Sequence, residues 1–310
     1  MAAVLIALAA LVPATGASDY QITFLLQLLM MIALAQSWNL ISGMTGYVSF
    51  GHAAFFGVGA YAGALLLEAG LPWWLAILAA GGIAFVVAIP LGFLTLRLRG
   101  PYFAIAMLGL NEVGRIIATL WVSLTSGGDG IPLAPSLLPP LRWNYYAMLL
   151  LAIAACVAIA RVYGSRFGLE LRAIREDEGA AEMVGVNTTR NKVLAFVLST
   201  LIPGAVGAVY AMYTSFIDPN SVFSTALNIQ MIVIVMLGGT GTLWGPILGA
   251  VIVVTLREWL WASFPALHLL LMGVGIIVIV LFLPDGVLSL LRKRKSVRPE
   301  AVGAGEEAEP

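Results

Sequence analysis

The chain reads as a succession of apolar runs bounded by glycine, proline and charge, over residues 1–12, 22–41, 47–67, 73–96, 101–121, 144–163, 193–214, 224–238, 242–262 and 266–284. Most approach the ~20 residues that a helix rising ~1.5 Å per residue needs to cross a ~30 Å hydrocarbon core. The expected fold class is therefore all-α, a polytopic membrane helix bundle with about ten hydrophobic segments, eight to ten of them transmembrane. One membrane domain should occupy 1–290, with a tail over 291–310.

Composition agrees with that reading. Charged residues make up 10% of the chain and hydrophobic ones 61%, with a mean hydropathy of +0.99, whereas a soluble domain carries about 25% charge. The 16 basic and 16 acidic residues cancel, so no global charge argues for a nucleic-acid partner, and lipid is the expected surrounding. Cys156, the single cysteine, excludes an intrachain disulfide and reads as a buried thiol.

Placing the runs alternately across a membrane gathers 97–100, 161–192 and 285–310 on one side. These connections hold thirteen of the 16 basic residues, among them Arg97, Arg99, Arg161, Arg190, Lys192 and Arg292. By the positive-inside rule that side is cytoplasmic, the C-terminus is inside, and Asp19, Asp129 and Asp218 are outside. Residues 1–12 fit either a retained first helix or a signal peptide without a basic n-region, and the retained helix is preferred. From Arg292 the tail is a basic cluster followed by a Gly/Ala-rich acidic end, as expected of a membrane-surface anchor leading into disorder.

Two glycine clusters depart from a plain bundle. In residues 42–66, Gly43, Gly46, Gly51, Gly57, Gly59 and Gly63 interrupt apolar sequence, which fits either close helix packing or a broken element lining a path. The second, residues 236–250, repeats the G-x-T-G string, with Gly238, Thr240 and Gly241 matching Gly43, Thr45 and Gly46. Both fall on the cytoplasmic side, which does not favour an inverted repeat. Asn39, Gly43, Gly46, Tyr47, Ser49, Gly51, Gly238, Gly239 and Gly241 form the expected substrate path, because backbone polar groups freed at the glycines, with the Asn39, Tyr47 and Ser49 side chains, can solvate a solute there.

Ionisable residues at membrane depth are few. Glu112 and Arg115 lie three apart on one helix face and fit a relay or a structural pair equally, whereas Arg257 and Glu258 sit near an outer helix end and can snorkel. His52 has no neighbouring His, Cys or carboxylate at ligand spacing, so a packed, hydrogen-bonded ring is expected rather than a metal ligand. In the outer stretch 123–135, Thr125, Gly127, Gly128 and Asp129 are compatible with tight turns and with a docking surface for an extracytoplasmic protein.

The loop 164–192 carries the most information. Phe167, Leu171, Ile174, Ala181 and Val184 fall near one face at helical spacing, with Arg172, Arg175, Glu176, Glu178 and Glu182 on the other. One amphipathic helix is expected, with Arg172–Glu176 and Arg175–Glu178 pairs, stopped at Gly185 and followed by a cap at Asn187 or Thr188. The chain has no G-x-x-x-x-G-K-[ST], H-E-x-x-H or G-x-S-x-G string. Energy for transport must then come from an ion gradient or another subunit, and no catalytic set is expected.

Four strings in order, SWNLISGMTGYVSFGHAAFFGVGAY, LRLRGPYFAIAMLGLNEVGRI with LTSGGDGI, GLELRAIREDEGAAEMVGVN and VMLGGTGTLWGPILGA, resemble the membrane subunits of branched-chain amino acid ABC importers of the LivM type. The resemblance covers about residues 36–290. It implies a permease that pairs with a second homologous permease, binds two cytoplasmic ATPase subunits and receives substrate from a periplasmic binding protein. It further implies a bacterial inner-membrane location, ATP used by the partners, and no cofactor in this chain. The stretch from Glu178 to Gly185 is similar to the importer loop pattern E-A-A-x-x-x-G, with Ala180, Ala181 and Gly185 in register and Gly179 in the Glu position. Arg172, Arg175, Glu176, Asp177, Glu178, Ala180, Ala181, Glu182 and Gly185 are the implied ATPase-coupling residues. The expected cargo is a branched-chain or other neutral amino acid; a urea or short-amide importer and a gradient-driven carrier are the alternatives.

Overall fold

The structure, a computed structural model, describes residues 16–98 and 100–263, together with Pro13, Gly273, Gly286 and Val287. The runs 1–12 and 266–284 (Gly273 apart) and the tail 291–310 lie outside these residues.

Helix α1 (Asp19–Trp38) opens on a capping box, Ser18 with Gln21, and continues through a π-helical turn, Asn39–Gly43. It is followed by α2 (His52–Glu68), α3 (Trp73–Thr95), α4 (Pro101–Leu120) and the short α5 (Val122–Thr125). Strand β1 (Ile131–Pro132) precedes α6 (Leu141–Tyr163), α7 (Arg166–Glu176), α8 (Glu178–Met183) and α9 (Thr188–Thr214). Strand β2 (Phe216–Ile217), α10 (Pro219–Val222), α11 (Thr225–Gly238) and α12 (Gly245–Ser263) complete the described elements. Proline supplies the first helical residue of α4 and α10, where its missing N–H costs nothing.

Six described stretches are long and apolar enough to cross a membrane: Asp19–Gly43, Trp73–Thr95, Pro101–Leu120, Leu141–Tyr163, Thr188–Thr214 and Pro219–Gly238. This is an all-α membrane bundle, with fewer qualifying helices among the described residues than the ten apolar runs suggested. One reason is the run 47–67. Residues 46–51 are non-helical and α2 begins only at His52, leaving an apolar helix of 17 residues.

Helix α9, 27 residues long, is the central post, packed along α2 and α3 and touching α1 and α6. Its approach to α2 is set by small residues: a Cβ on Gly59 would overlap the Gly204 carbonyl, and one on Gly63 would meet the Ala208 methyl at 2.5 Å. Lipid tails are as apolar as side chains, so close van der Waals packing of this kind must hold membrane helices together. On the opposite flank, α3 and α4 expose Leu78, Val86 and Phe93 and Tyr102, Ile105 and Val113. Apolar surface on that scale is untenable in water and suits lipid. Helix α4 leans away from α3, leaving an apolar cavity of about 810 Å³ against α2.

At one end of the bundle β1 pairs antiparallel with β2, Ile131 opposite Ile217, which ties the Asp129 loop to the Asp218 loop. At the other end the chain reverses at Gly43–Gly46 and again at Gly239–Gly245, and there α7 and α8 lie across it.

Candidate functional site

The Gly43–Gly46 and Gly239–Gly245 reversals meet because each lacks side chains where the other passes. A Cβ on Gly43 would lie 2.8 Å from the Gly241 nitrogen, and one on Gly241 would lie 2.7 Å from the Gly43 oxygen. Asn39 seals the junction, its Nδ2 donating to the Thr242 carbonyl at 2.9 Å and its Oδ1 accepting from Gly241 N–H at 2.8 Å. Gln36 adds a bond from Nε2 to the Leu243 carbonyl at 2.7 Å. The two G-x-T-G strings are thus packed together at one end of the bundle; Gly238 ends α11, and Gly239 opens the turn toward α12, closed by Thr242.

Arg175 of α7 clamps this junction from outside. Its Nη1 donates to the Gly43 carbonyl at 2.7 Å and its Nη2 to Thr240 Oγ1 at 3.2 Å. The Gly43 carbonyl belongs to the last turn of a helix, where orphan acceptors and the negative dipole end favour a cation. Gly46, in a left-handed conformation (φ +78°), packs against the Arg175 stem.

The next residue, Tyr47, donates its hydroxyl to Glu178 Oε2, and Lys192 reaches Glu178 Oε1 at 2.6 Å and the Tyr47 hydroxyl at 3.1 Å. The Lys192 ammonium also stands 4.6 Å from the Tyr47 ring centre. Lys192 is only 2% exposed and Glu178 15%, so this is a buried ion pair joining α8 and α9 to the broken segment.

Deeper along 46–51, side chains satisfy the non-helical backbone, as lipid burial requires. Trp38 Nε1 donates to the Ser49 carbonyl at 2.7 Å, and Ser49 N–H donates to Ser42 Oγ at 3.1 Å. His52 lies between Ser49 Oγ (3.0 Å from Nδ1) and Ser199 Oγ (3.1 Å from Nε2). The Ser199 hydroxyl donates to the Phe196 carbonyl, so it accepts from Nε2–H and leaves Nδ1 to accept from Ser49. His52 is thereby a buried bridge between α2 and α9, and no group of three or more metal-ligating side chains occurs among the described residues. Gly51 is pressed against Met107 of α4.

The loop 164–192 differs from the single helix expected of it. The chain breaks at Asp177 (φ −158°, ψ 116°), whose carboxylate accepts from Ala180 N–H at 2.7 Å and caps a second helix. The break removes the i, i+3 geometry of the expected Arg175–Glu178 pair and sends those side chains to Gly43 and Lys192. The expected Arg172–Glu176 pair is also replaced. Arg172 folds back on the end of α6, donating to the Tyr163 and Gly168 carbonyls and stacking 4.5 Å from the Tyr163 ring centre. Leu171, Ile174 and Ala181 are buried as expected, but the break turns Val184 outward to 79% exposure, beside Met183 at 89%. Glu176, Asp177, Gly179, Ala180 and Glu182 share that exposed face. Gly185, at φ +89°, ends α8, and the Asn187 side chain caps α9.

At the opposite end, Thr125 and Gly127 are buried turn residues, with Thr125 Oγ1 donating to the Trp121 carbonyl at 2.8 Å, while Gly128 and Asp129 are exposed. Arg115 pairs with Glu112 and reaches Asn220 at 2.9 Å, a structural clamp on the α10 segment. Arg257 donates to Gln27 Oε1 at 2.8 Å, and Glu258 accepts from the Tyr20 hydroxyl at 2.8 Å, fixing α12 to α1. Sequence reading missed Lys192, Met183 and the outward turn of Val184; the Asp-x-x-Ala cap at Asp177 was the available signal for the break.

Comparison with known proteins bears on this arrangement. The family model for the permease component of branched-chain amino acid transport systems matches residues 20–280. The high-affinity branched-chain amino acid transport system permease protein LivM of Salmonella typhimurium is 30% identical over 309 residues, 89% of this chain and 72% of the relative. LivH of Escherichia coli is 26% identical over 71% of this chain and 78% of its own length. The autoinducer 2 import system permease protein LsrC of Klebsiella pneumoniae is 32% identical over 59% of this chain and 56% of its own length. No solved structure matches the chain. With the family model spanning most of its length and a multi-pass bundle beneath it, the chain belongs to the permease-component family of branched-chain amino acid transport systems.

Proposed function

We propose that this chain is one of two permease subunits in an ATP-driven importer of branched-chain or other neutral amino acids in the bacterial inner membrane. The Arg175 end is cytoplasmic, following the distribution of basic residues. Two ATPase subunits dock on α7–α8, a periplasmic binding protein delivers substrate at the Asp129 end, and ATP is handled by the partners. The observation that carries the reading is the double attachment of α7–α8 to the Gly-broken segments, through Arg175 and through Glu178–Lys192–Tyr47. A push on this hook displaces the chain reversals directly, as alternating access needs. Met183 and Val184 offer a partner the apolar anchor typical of a docking centre.

The test is reconstitution with candidate partner subunits and a photo-crosslinker at Val184. The reading predicts ATP-dependent uptake and a crosslink to a P-loop protein. Uptake by the purified chain alone, driven by an ion gradient, or labelling of Val184 from the exterior, would overturn it. Relatives are named for cargoes as different as branched-chain amino acids and autoinducer 2, so the fold alone does not select an amino acid. A urea or short-amide permease is the second reading, separated by uptake specificity.

A further inference from the structure

A second cavity, of about 280 Å³, lies between α1, α9, α11 and α12 and is lined by none of the clustered glycines. That volume is at the low end for small-molecule sites, which start near ~300 Å³. Its exposed rim residue Ser221 belongs to the connection at the Asp129 end. Gln27, on its wall, is ~12 Å along α1 from Asp19 at ~1.5 Å per residue, so the cavity reaches well into the bundle.

Among the described residues the lining is rich in hydrogen-bond donors and holds no carboxylate, and Arg257 contributes its only cation. A guanidinium carries five N–H donors, and among the described residues one is used, on Gln27 at 2.8 Å. Gln230 Nε2 is buried with no partner among the described residues, and Tyr210 and Tyr213 line the same space. The remaining wall is apolar, with Leu26, Met30, Met31, Leu227 and Phe56. A charge at this depth is costly unless it is paired or faces a polar cavity, and snorkelling alone does not account for a guanidinium turned to a built pocket.

We propose that this cavity is a substrate site on the exterior side of the path, in which Arg257 binds the α-carboxylate of a neutral amino acid and the apolar wall takes its side chain. The Tyr210 and Tyr213 rings offer π-faces to the ammonium group. The inference rests on the importer reading and narrows it: a carboxylate-bearing solute is accepted, while urea and simple amides lack the charge that Arg257 would bind.

The experiment uses the reconstituted complex carrying wild-type chain, Arg257→Gln, Arg257→Lys or Gln230→Leu, with L-leucine uptake as the readout. In parallel, Ser224→Cys places a thiol on the cavity wall, and maleimide labelling is followed with L-leucine, 4-methylvalerate or L-leucinamide present. Expected are a fall in uptake of at least tenfold in Arg257→Gln, a smaller fall in Arg257→Lys, and protection by leucine and 4-methylvalerate but not leucinamide. Wild-type uptake by Arg257→Gln, or equal protection by leucinamide, overturns the site while leaving the importer reading intact. Absence of ATP-dependent uptake of every neutral amino acid tried, by the wild-type complex, refutes the amino-acid importer reading instead. Where Arg257→Gln does not assemble, the labelling pattern decides.

Discussion

Replacing Glu178 with Gln removes the counter-ion of Lys192, which is 2% exposed and whose described partners are Glu178 and Tyr47. Breaking a buried pair from one side costs ~3–5 kcal/mol, because the remaining charge is left uncompensated in a poor solvent. Both groups lie below the exposure at which solvent screening would discount that figure. Removing both charges should be much milder. In Glu178→Gln/Lys192→Met the methionine fills the apolar stem of the lysine, and the double variant should sit within ~1 kcal/mol of wild type. Denaturation of the purified chain in detergent, run as a double-mutant cycle, measures the coupling. Additivity to within ~0.5 kcal/mol would refute the claim that α8 is held to α9 by this pair. Transport should follow stability only partly, since the double variant keeps the fold but loses one of the two attachments of the hook.

Two further variants probe separate parts of the account. Gly59→Val forces α2 off α9 at the Gly204 carbonyl; a loss of at least ~1–3 kcal/mol is expected, read as a lower unfolding midpoint, with Val58→Ala as a milder control. Val184→Asp alters an exposed tip, so the chain should keep its unfolding midpoint while co-purification with the ATPase subunits drops, and undiminished co-purification would move the docking surface elsewhere.

Much of the bundle was legible because span length is a local property: α3, α4, α6 and α9 follow apolar runs bounded by Pro, Gly or charge. The glycine clusters were legible as departures but not as to kind. Close packing and a helix break both occur, at different residues, with Gly59 and Gly63 packing α2 on α9 while Gly43 and Gly46 end and turn a broken helix. That division depends on partners about 130–200 residues away, which no local pattern encodes. The break at Asp177 was hidden because the 3.6-residue periodicity runs through it, and only the capping preference of Asp competes with helix continuation. Arg257 read as a snorkelling residue from its place in the run; the cavity it faces is created by the packing of α1, α9 and α11.

The central claim is that nucleotide-driven movement enters through α7–α8 and reaches the transport path through Arg175. Its most direct test is the number of amino acids imported per ATP hydrolysed by reconstituted Arg175→Ala complexes, compared with wild type. The account predicts that the ratio collapses by tenfold or more while binding-protein-stimulated hydrolysis persists. An unchanged ratio, in complexes that assemble normally, would contradict it.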